Sequence, residues 1–417
     1  MKLLIKQAKI ADSSSPFNGN LKDILIVDGT IVSIADNITE KADQIIESPN
    51  LHVSAGWVDI FAHFCDPGFE YRETLETGAA AAAAGGFTDA MVLPNTDPVV
   101  GSKSQVEYIL QKSRSLAVDI YPIGAITKNT EGKELTEMYD MKQSGAVAFS
   151  DGNNSIQSPG ILLKALQYLN AVDGTIIQIP DDKTISPQGL INEGITSTQL
   201  GLPGKPSIAE ELMIARDIEL VKYTNSKIHF TGVSTQKSIE LIAKAKGEGL
   251  NITCSVTPYH LLFNDEDLKS YDTNLKVNPP IRNKTDMLAL QDAVKNGIVD
   301  CIATHHIPHN KDNKICEFEY AKNGMIGLES LFGAVSKITG IGELINSLTV
   351  TPRKIFGLPP ISIKENTIAK LTLFDPHSSV VFDETMIHSK SKNSAFIGKE
   401  LNGKVIGIIN GSHVVLN

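Results

Sequence analysis

The chain has 417 residues, of which 41% are hydrophobic and 21% are charged, and its formal net charge is -10. This length and apolar content allow a large buried core, and we expect a big α/β unit with a smaller appendage. The charge is spread without basic runs, which argues against nucleic acid or an anionic membrane as partner. A small molecule or another protein remains as a partner.

The amino terminus lacks the features of a targeting segment. Lys6, Lys9 and Asp12 interrupt its apolar residues before the core of a signal peptide could form. No apolar run in the chain approaches the roughly 20 residues that span a bilayer. We therefore expect a soluble, cytoplasmic protein.

The two ends of the chain are rich in β-strand patterns. Residues 1–53 and 360–417 combine apolar alternation with glycine-containing turn signals, which predicts one small sheet domain built from both termini. The turn signals are Asp28-Gly29, Asn402-Gly403 and Asn410-Gly411.

The central residues 54–359 contain eight apolar segments of strand length, with helical patterns between them. The segments are residues 58–63, 90–93, 120–125, 146–150, 175–179, 228–233, 252–256 and 300–304. One helical pattern places Leu162, Ala165 and Leu166 on a single buried face. We predict an α/β fold with a (β/α)8 barrel of the TIM type, whose chemistry gathers at the carboxyl ends of the strands.

Short phrases at the predicted strand ends, taken together, resemble the dihydroorotases. They include Asp66-Pro67-Gly68, Pro94-Asn95-Thr96, Asn192-Glu193-Gly194, Leu200 to Gly204, Val233-Ser234-Thr235, Val277 to Arg282 and Thr304 to His309. The resemblance implies an amidohydrolase barrel with a β-sandwich domain formed from both termini, which agrees with the periodicity. It also implies a chemistry, in which hydroxide on zinc opens or closes the cyclic amide of dihydroorotate.

The metal positions of the family are mostly replaced in this chain. The resemblance places metal ligands at six positions, and only His63 and Asp151 match, as vestiges of the zinc site. Where the family has histidine, this chain has Phe61, Gln178 and Gly232. Phenylalanine and glycine offer no ligand, and a glutamine carbonyl is a poor one for zinc.

His305 replaces the aspartate that, by resemblance, ligates zinc and shuttles the proton in the family. A histidine at this catalytic position could still accept a proton. Without hydroxide on zinc, however, there is no nucleophile of low pKa for it to serve, and we predict that His305 is not functional as a catalyst.

The substrate pocket is predicted to survive in weakened form. The arginine that binds the dihydroorotate carboxylate in the family is Cys65 here, so one bidentate contact is missing. The pocket positions that match the family are Asn95, Asn278, His309, Asn323 and Gly324. Two interpretations of these residues stay open. They line a pocket for an acidic small molecule, or they only connect loops through hydrogen bonds from side chain to backbone.

The first functional hypothesis is a dihydroorotase relative without catalytic activity. It would be a structural or regulatory protein of pyrimidine biosynthesis that assembles with aspartate carbamoyltransferase, by analogy with inactive family members. Under this hypothesis we expect a homo-oligomer and no cofactor.

Two alternatives stay open. One is an active cyclic-amide hydrolase that interconverts carbamoyl aspartate and dihydroorotate at a single zinc ion, held by His63, Asp151 and His305. The first and eighth strands are neighbours in a closed barrel, and the fourth also projects inward, so two nitrogens and a carboxylate would be available to one zinc ion. The other alternative is a binding protein for an acidic, pyrimidine-like ligand without turnover.

Overall fold

The computed structural model describes all 417 residues, and the chain begins with five strands of a terminal sheet. They are β1 (Lys2–Ile10), β2 (Leu21–Val27), β3 (Thr30–Ala35), β4 (Gln44–Ile46) and β5 (His52–Ala55). The predicted turn at Asp28-Gly29 joins β2 to β3. Both turn residues have a positive φ, 46° and 78°, as a two-residue hairpin of type I′ requires.

The middle of the chain contributes ten strands. They are β6 (Trp57–Ala62), β7 (Phe87–Val92), β8 (Asp119–Gly124), β9 (Ala148–Phe149), β10 (Ile176–Gln178), β11 (Ile191–Asn192), β12 (Gly204–Lys205), β13 (Lys227–Phe230), β14 (Asn251–Val256) and β15 (Cys301–Ile302). All except β11 and β12 form one sheet of eight strands, whose neighbours pair in parallel and follow chain order. The eight predicted strands are thus confirmed.

This sheet closes into a barrel through contacts between β6 and the segment after β15. The His63 backbone N–H donates to the His306 carbonyl oxygen at 2.8 Å, next to an isolated bridge between Ala62 and His306. Asp59, which is fully buried on β6, accepts a hydrogen bond from the Thr304 backbone N–H at 2.8 Å. The carboxyl ends of the first and last barrel strands therefore meet at one rim, as predicted for a (β/α)8 barrel.

Twelve α-helices complete the barrel and its flanks. They are α1 (Leu75–Ala84), α2 (Lys103–Ser113), α3 (Met138–Gln143), α4 (Pro159–Asn170), α5 (Ile195–Leu200), α6 (Ile208–Thr224), α7 (Gln236–Gly247), α8 (Pro258–Leu262), α9 (Lys284–Lys295), α10 (Leu331–Val335), α11 (Ile341–Leu348) and α12 (Val350–Phe356). The buried face of α4 contains Leu162, Ala165 and Leu166, as the spacing predicts. None of the helices has the length and apolar character needed to cross a membrane.

The chain ends with four strands that complete the terminal sheet. They are β16 (Thr367–Ile368), β17 (Lys370–Val381), β18 (Glu400–Asn410) and β19 (His413–Leu416). The strand order is β16-β3-β2-β1-β5-β17-β18-β19, with β4 on β1, so the antiparallel pair of β5 and β17 joins the two ends of the chain. A separate core of 16 buried residues lies under this sheet. The domain boundaries after residue 53 and before residue 360 stay a prediction.

The turn predicted at Asn402-Gly403 is wrong, because both residues lie inside β18. Gly403 has a φ of 87°, and a Cβ atom there would lie 2.6 Å from the Phe332 ring. The glycine is therefore needed at this position of the strand for its positive φ and for the close approach to an aromatic side chain. The chain does not reverse its direction there.

Candidate functional site

A cavity of about 690 Å³ opens at the carboxyl ends of the barrel strands. Its walls come from segments that follow β6, β7, β10, β14 and β15, together with the loops between them. Of the predicted site residues, it is lined by His63, Asn95, Asn278, His309, Asn323 and Gly324. Asp151 and His305 do not contribute to its lining, so the structure brings together six of the eight predicted residues.

His63 follows β6 directly, and both nitrogens of its ring are engaged. The Cys65 backbone N–H donates to Nδ1 at 2.9 Å, and Nε2 donates to the Asn95 carbonyl oxygen at 3.0 Å. Burial, together with the nearby charge of Arg72, lowers the pKa of His63 to about 3. The ring is therefore neutral near pH 7, and no lone pair is left for a metal ion in this arrangement.

Asp151 follows β9 and fastens the loop after β8. One carboxylate oxygen accepts hydrogen bonds from the backbone N–H groups of Ile126 at 3.0 Å and Thr127 at 2.8 Å. The other accepts from the Thr127 hydroxyl. Burial raises the pKa of Asp151 to about 6, although the hydrogen bonds oppose this shift. The Asp151 carboxylate thus holds the loop after β8 in place by accepting hydrogen bonds from its backbone.

The positions of Phe61 and His305 are filled by an aromatic stack. The two ring centroids lie 4.4 Å apart with 29° between the ring planes, and both side chains are buried. His305 Nε2 lies 2.7 Å from the Thr231 hydroxyl, whereas its Nδ1 has no partner. Burial lowers the pKa of His305 to about 3. A pair of neutral rings packs here, where the family resemblance places a histidine and an aspartate.

Neighbouring residues also engage the remaining two replaced positions, Gly232 and Gln178. Gly232 has a φ of +70°, and a Cβ atom there would lie 2.8 Å from His305 Cε1, so the His305 ring occupies the space of a side chain at residue 232. The buried Gln178 amide donates to Asp217 on α6 at 3.3 Å, and its oxygen accepts from the Ile156 backbone N–H at 3.4 Å.

The structure contains no group of three or more histidine, cysteine, aspartate or glutamate side chains that could hold a metal ion. Of the rearranged site of His63, Asp151 and His305, the structure shows His63 and Asp151 in hydrogen bonds on separate loops. That site stays a prediction. The donor set does not fit the zinc centre that the family resemblance implies.

The cavity also contains charged residues that sequence reasoning missed. The Lys205 ammonium, on β12, lies 2.7 Å from Asp181 Oδ2 and 2.8 Å from Asn278 Oδ1. The Asn278 amide donates to the same Asp181 oxygen at 3.2 Å. Asp181 stands in the phrase that follows Gln178, and Lys205 follows the Leu-Pro-Gly phrase directly. Their position next to these phrases was the sequence signal that could have identified Asp181 and Lys205 as site residues.

The cavity carries a net positive charge within a chain of net charge -10. Its walls include three cationic side chains, Arg72, Lys183 and Lys205, against the single carboxylate of Asp181. His309 adds no charge, because burial lowers its pKa to about 3. Three cations and one anion leave a balance of +2, which attracts an anionic small molecule.

A barrel with a polar cavity at the carboxyl rim and a sheet made from both termini defines a protein of the amidohydrolase fold. Solved structures agree with this class. The L-hydantoinase (dihydropyrimidinase) from Arthrobacter aurescens superimposes with a TM-score of 0.83 at 22% identity, covering 100% of this chain and 96% of the hydantoinase. A crystal structure of D-hydantoinase gives a TM-score of 0.83 at 20% identity, with 100% and 95% coverage. At such identities the likeness establishes the fold.

Sequence comparison then identifies the family. A family model described as dihydro-orotase-like matches residues 52–238. The dihydroorotase of Acetivibrio thermocellus is 40% identical, and the alignment covers 99% of both chains. The dihydroorotase of Caldanaerobacter subterraneus subsp. tengcongensis is 41% identical over 97% of this chain and 95% of the relative. The chain belongs to the dihydroorotase family.

Proposed function

We propose that this protein is a non-catalytic member of the dihydroorotase family that acts in pyrimidine metabolism and has a pocket for an acidic small molecule. The observation that carries the proposal is the stack of Phe61 on His305, at two positions where the family resemblance implies zinc ligands. The charge balance of the cavity supports the ligand class, because its three cations face one carboxylate.

The loss of catalysis follows from the chemistry of the remaining groups. Amide hydrolysis in this family requires a nucleophile that is deprotonated near neutral pH, which bound zinc supplies by lowering the pKa of water. His63 has both nitrogens in hydrogen bonds, and His305 has a pKa of about 3. A base with so low a pKa takes up a proton poorly at pH 7, so His305 does not replace the family aspartate.

Metal content tests this proposal. Elemental mass spectrometry on protein purified without chelator or histidine tag is expected to find near-zero metal per chain, together with no turnover of dihydroorotate or carbamoyl aspartate. The Acetivibrio thermocellus relative, purified in the same way, is the control for metal lost during handling. About one zinc per chain that disappears on His63→Ala or His305→Ala would contradict the proposal.

The same measurement decides the alternative of an active cyclic-amide hydrolase with one zinc ion. One observation favours that alternative: Nδ1 of His305 and Nδ1 of His309 are both buried without a partner. Each of these two imidazoles therefore has one ring nitrogen without a partner. If they bound zinc, chelator would abolish turnover and His309→Ala would lower the metal content.

As a partner for this non-catalytic protein we propose aspartate carbamoyltransferase. The alignment to a dihydroorotase covers 99% of the chain, although metal ligands are replaced. This full-length similarity supports a role that depends on the whole fold. Coexpression with the carbamoyltransferase of the same cell, followed by sizing with light scattering, is expected to give a mixed complex. Elution of this protein as a separate homo-oligomer at micromolar concentrations of both would contradict the partnership.

A further inference from the structure

Arg72 presents an unpaired guanidinium to the barrel cavity. Its Nε donates to the Pro308 carbonyl oxygen at 2.9 Å, and the guanidinium carbon lies 5.7 Å from the centre of the Phe69 ring. These two contacts fix the orientation of the side chain. The two terminal nitrogens have no hydrogen-bond partner within the chain, so the fork of the guanidinium is available to a ligand.

The nearest acidic side chains along the chain are occupied elsewhere. Glu70 accepts a hydrogen bond from the Gly68 backbone N–H at 3.0 Å. Glu73 accepts from the Ser389 and Thr77 hydroxyls and from the Lys390 backbone N–H. Arg72 forms no salt bridge with either of them, and it lines the cavity.

The surroundings of Arg72 suit a carboxylate. His63 and His309 line the same cavity as Arg72. Asn95 and Asn323 line the same cavity. Cys65, which stands where the family has its carboxylate-binding arginine, is buried and offers only a thiol, whose pKa burial raises to about 12.

We propose that Arg72 is the carboxylate anchor of this cavity, taking the place of the arginine that is absent at residue 65. The ligand class is a small carboxylic acid with one or two carboxylate groups, bound in bidentate fashion by the terminal nitrogens of Arg72. This inference rests on the proposed function, because it requires that the cavity bind an acidic small molecule.

Calorimetric titration with three probes tests the anchor: N-carbamoyl-L-aspartate, L-dihydroorotate and succinate, with neutral succinamide as the ligand control. Arg72→Gln is expected to weaken binding of the acidic probes at least about tenfold, because a hydrogen-bonded charge partner is lost. Arg72→Lys keeps the charge but lacks the fork, and an intermediate loss is expected. Arg114→Gln removes the same charge from an exposed position at the end of α2 and should leave binding unchanged.

The outcomes separate the two proposals. Binding by the wild-type protein that survives Arg72→Gln would overturn the anchor and leave the acidic pocket standing. A wild-type protein that binds none of the three acids would overturn both. Melting temperatures without ligand show that each variant is folded, and if Arg72→Gln fails to fold, Arg72→Lys against the wild type gives the same decision.

Discussion

Replacement of Asp89 by asparagine is expected to lower the free energy of unfolding by about 3–5 kcal/mol, because it leaves a buried guanidinium without its counter-charge. Asp89 lies on β7 and is completely buried. Arg353 Nη2 is 2.6 Å from one of its oxygens, and Lys370 Nζ is 2.6 Å from the other. Urea denaturation followed by circular dichroism measures the effect.

This ion cluster connects three parts of the fold, which is why its loss should be costly. Asp89 belongs to the barrel, Arg353 to α12 and Lys370 to β17 of the terminal sheet. Arg353 also donates to the Gly56 carbonyl oxygen at 3.2 Å, at the point where the chain passes from β5 to β6. Lys370 keeps a second partner in Asp119, so most of the penalty falls on Arg353.

Two further variants separate the buried charge from a general loss of packing. The double variant Asp89→Asn with Arg353→Met removes both charges and should recover a large part of the lost stability. Asp173→Asn breaks an ion pair with Lys227 in which the aspartate side chain is 93% exposed, and less than about 1 kcal/mol is expected. Equal effects of Asp89→Asn and Asp173→Asn would refute the importance of the buried cluster.

The sequence predicted the barrel well because each strand is marked by local signals. All eight apolar segments of the middle region became barrel strands, and alternation with helices was enough to indicate a parallel sheet. The failure at Asn402-Gly403 has a physical cause. A positive φ is needed both in hairpin turns and at irregular positions within strands, and the dipeptide alone does not distinguish them.

The candidate site was predicted only where it depends on backbone position. Residues in the segments that follow strands, such as His63, Asn95 and His309, were expected at the rim and do line the cavity. Arg72 and Lys205 were missed, because long side chains reach the cavity from loops whose path depends on tertiary contacts. The direction of the Asp151 carboxylate was likewise hidden, since the loop that it fastens is distant in sequence.

Gly232→Ala is expected to destabilise the protein by about 2–5 kcal/mol, the second large effect. About 1–2 kcal/mol comes from placing a Cβ atom at a φ of +70°. About 1–3 kcal/mol comes from overlap with His305 Cε1, which would lie only 2.8 Å away in a packed interior. Gly357→Ala is the matched control, because Gly357 has a φ of +66° with no atom within 4 Å and reports the backbone cost alone.

Adding His305→Ala to Gly232→Ala distinguishes the overlap from the backbone strain. Removal of the imidazole relieves the overlap, so the double variant should be at least about 1 kcal/mol more stable than the sum of the single effects predicts. Strict additivity would mean that the His305 ring does not occupy the space beside Gly232. If the coupling is found, restoring a histidine at residue 232 requires that residue 305 be changed as well. Residues 232 and 305 then form one steric unit, and neither position accepts a larger side chain independently of the other.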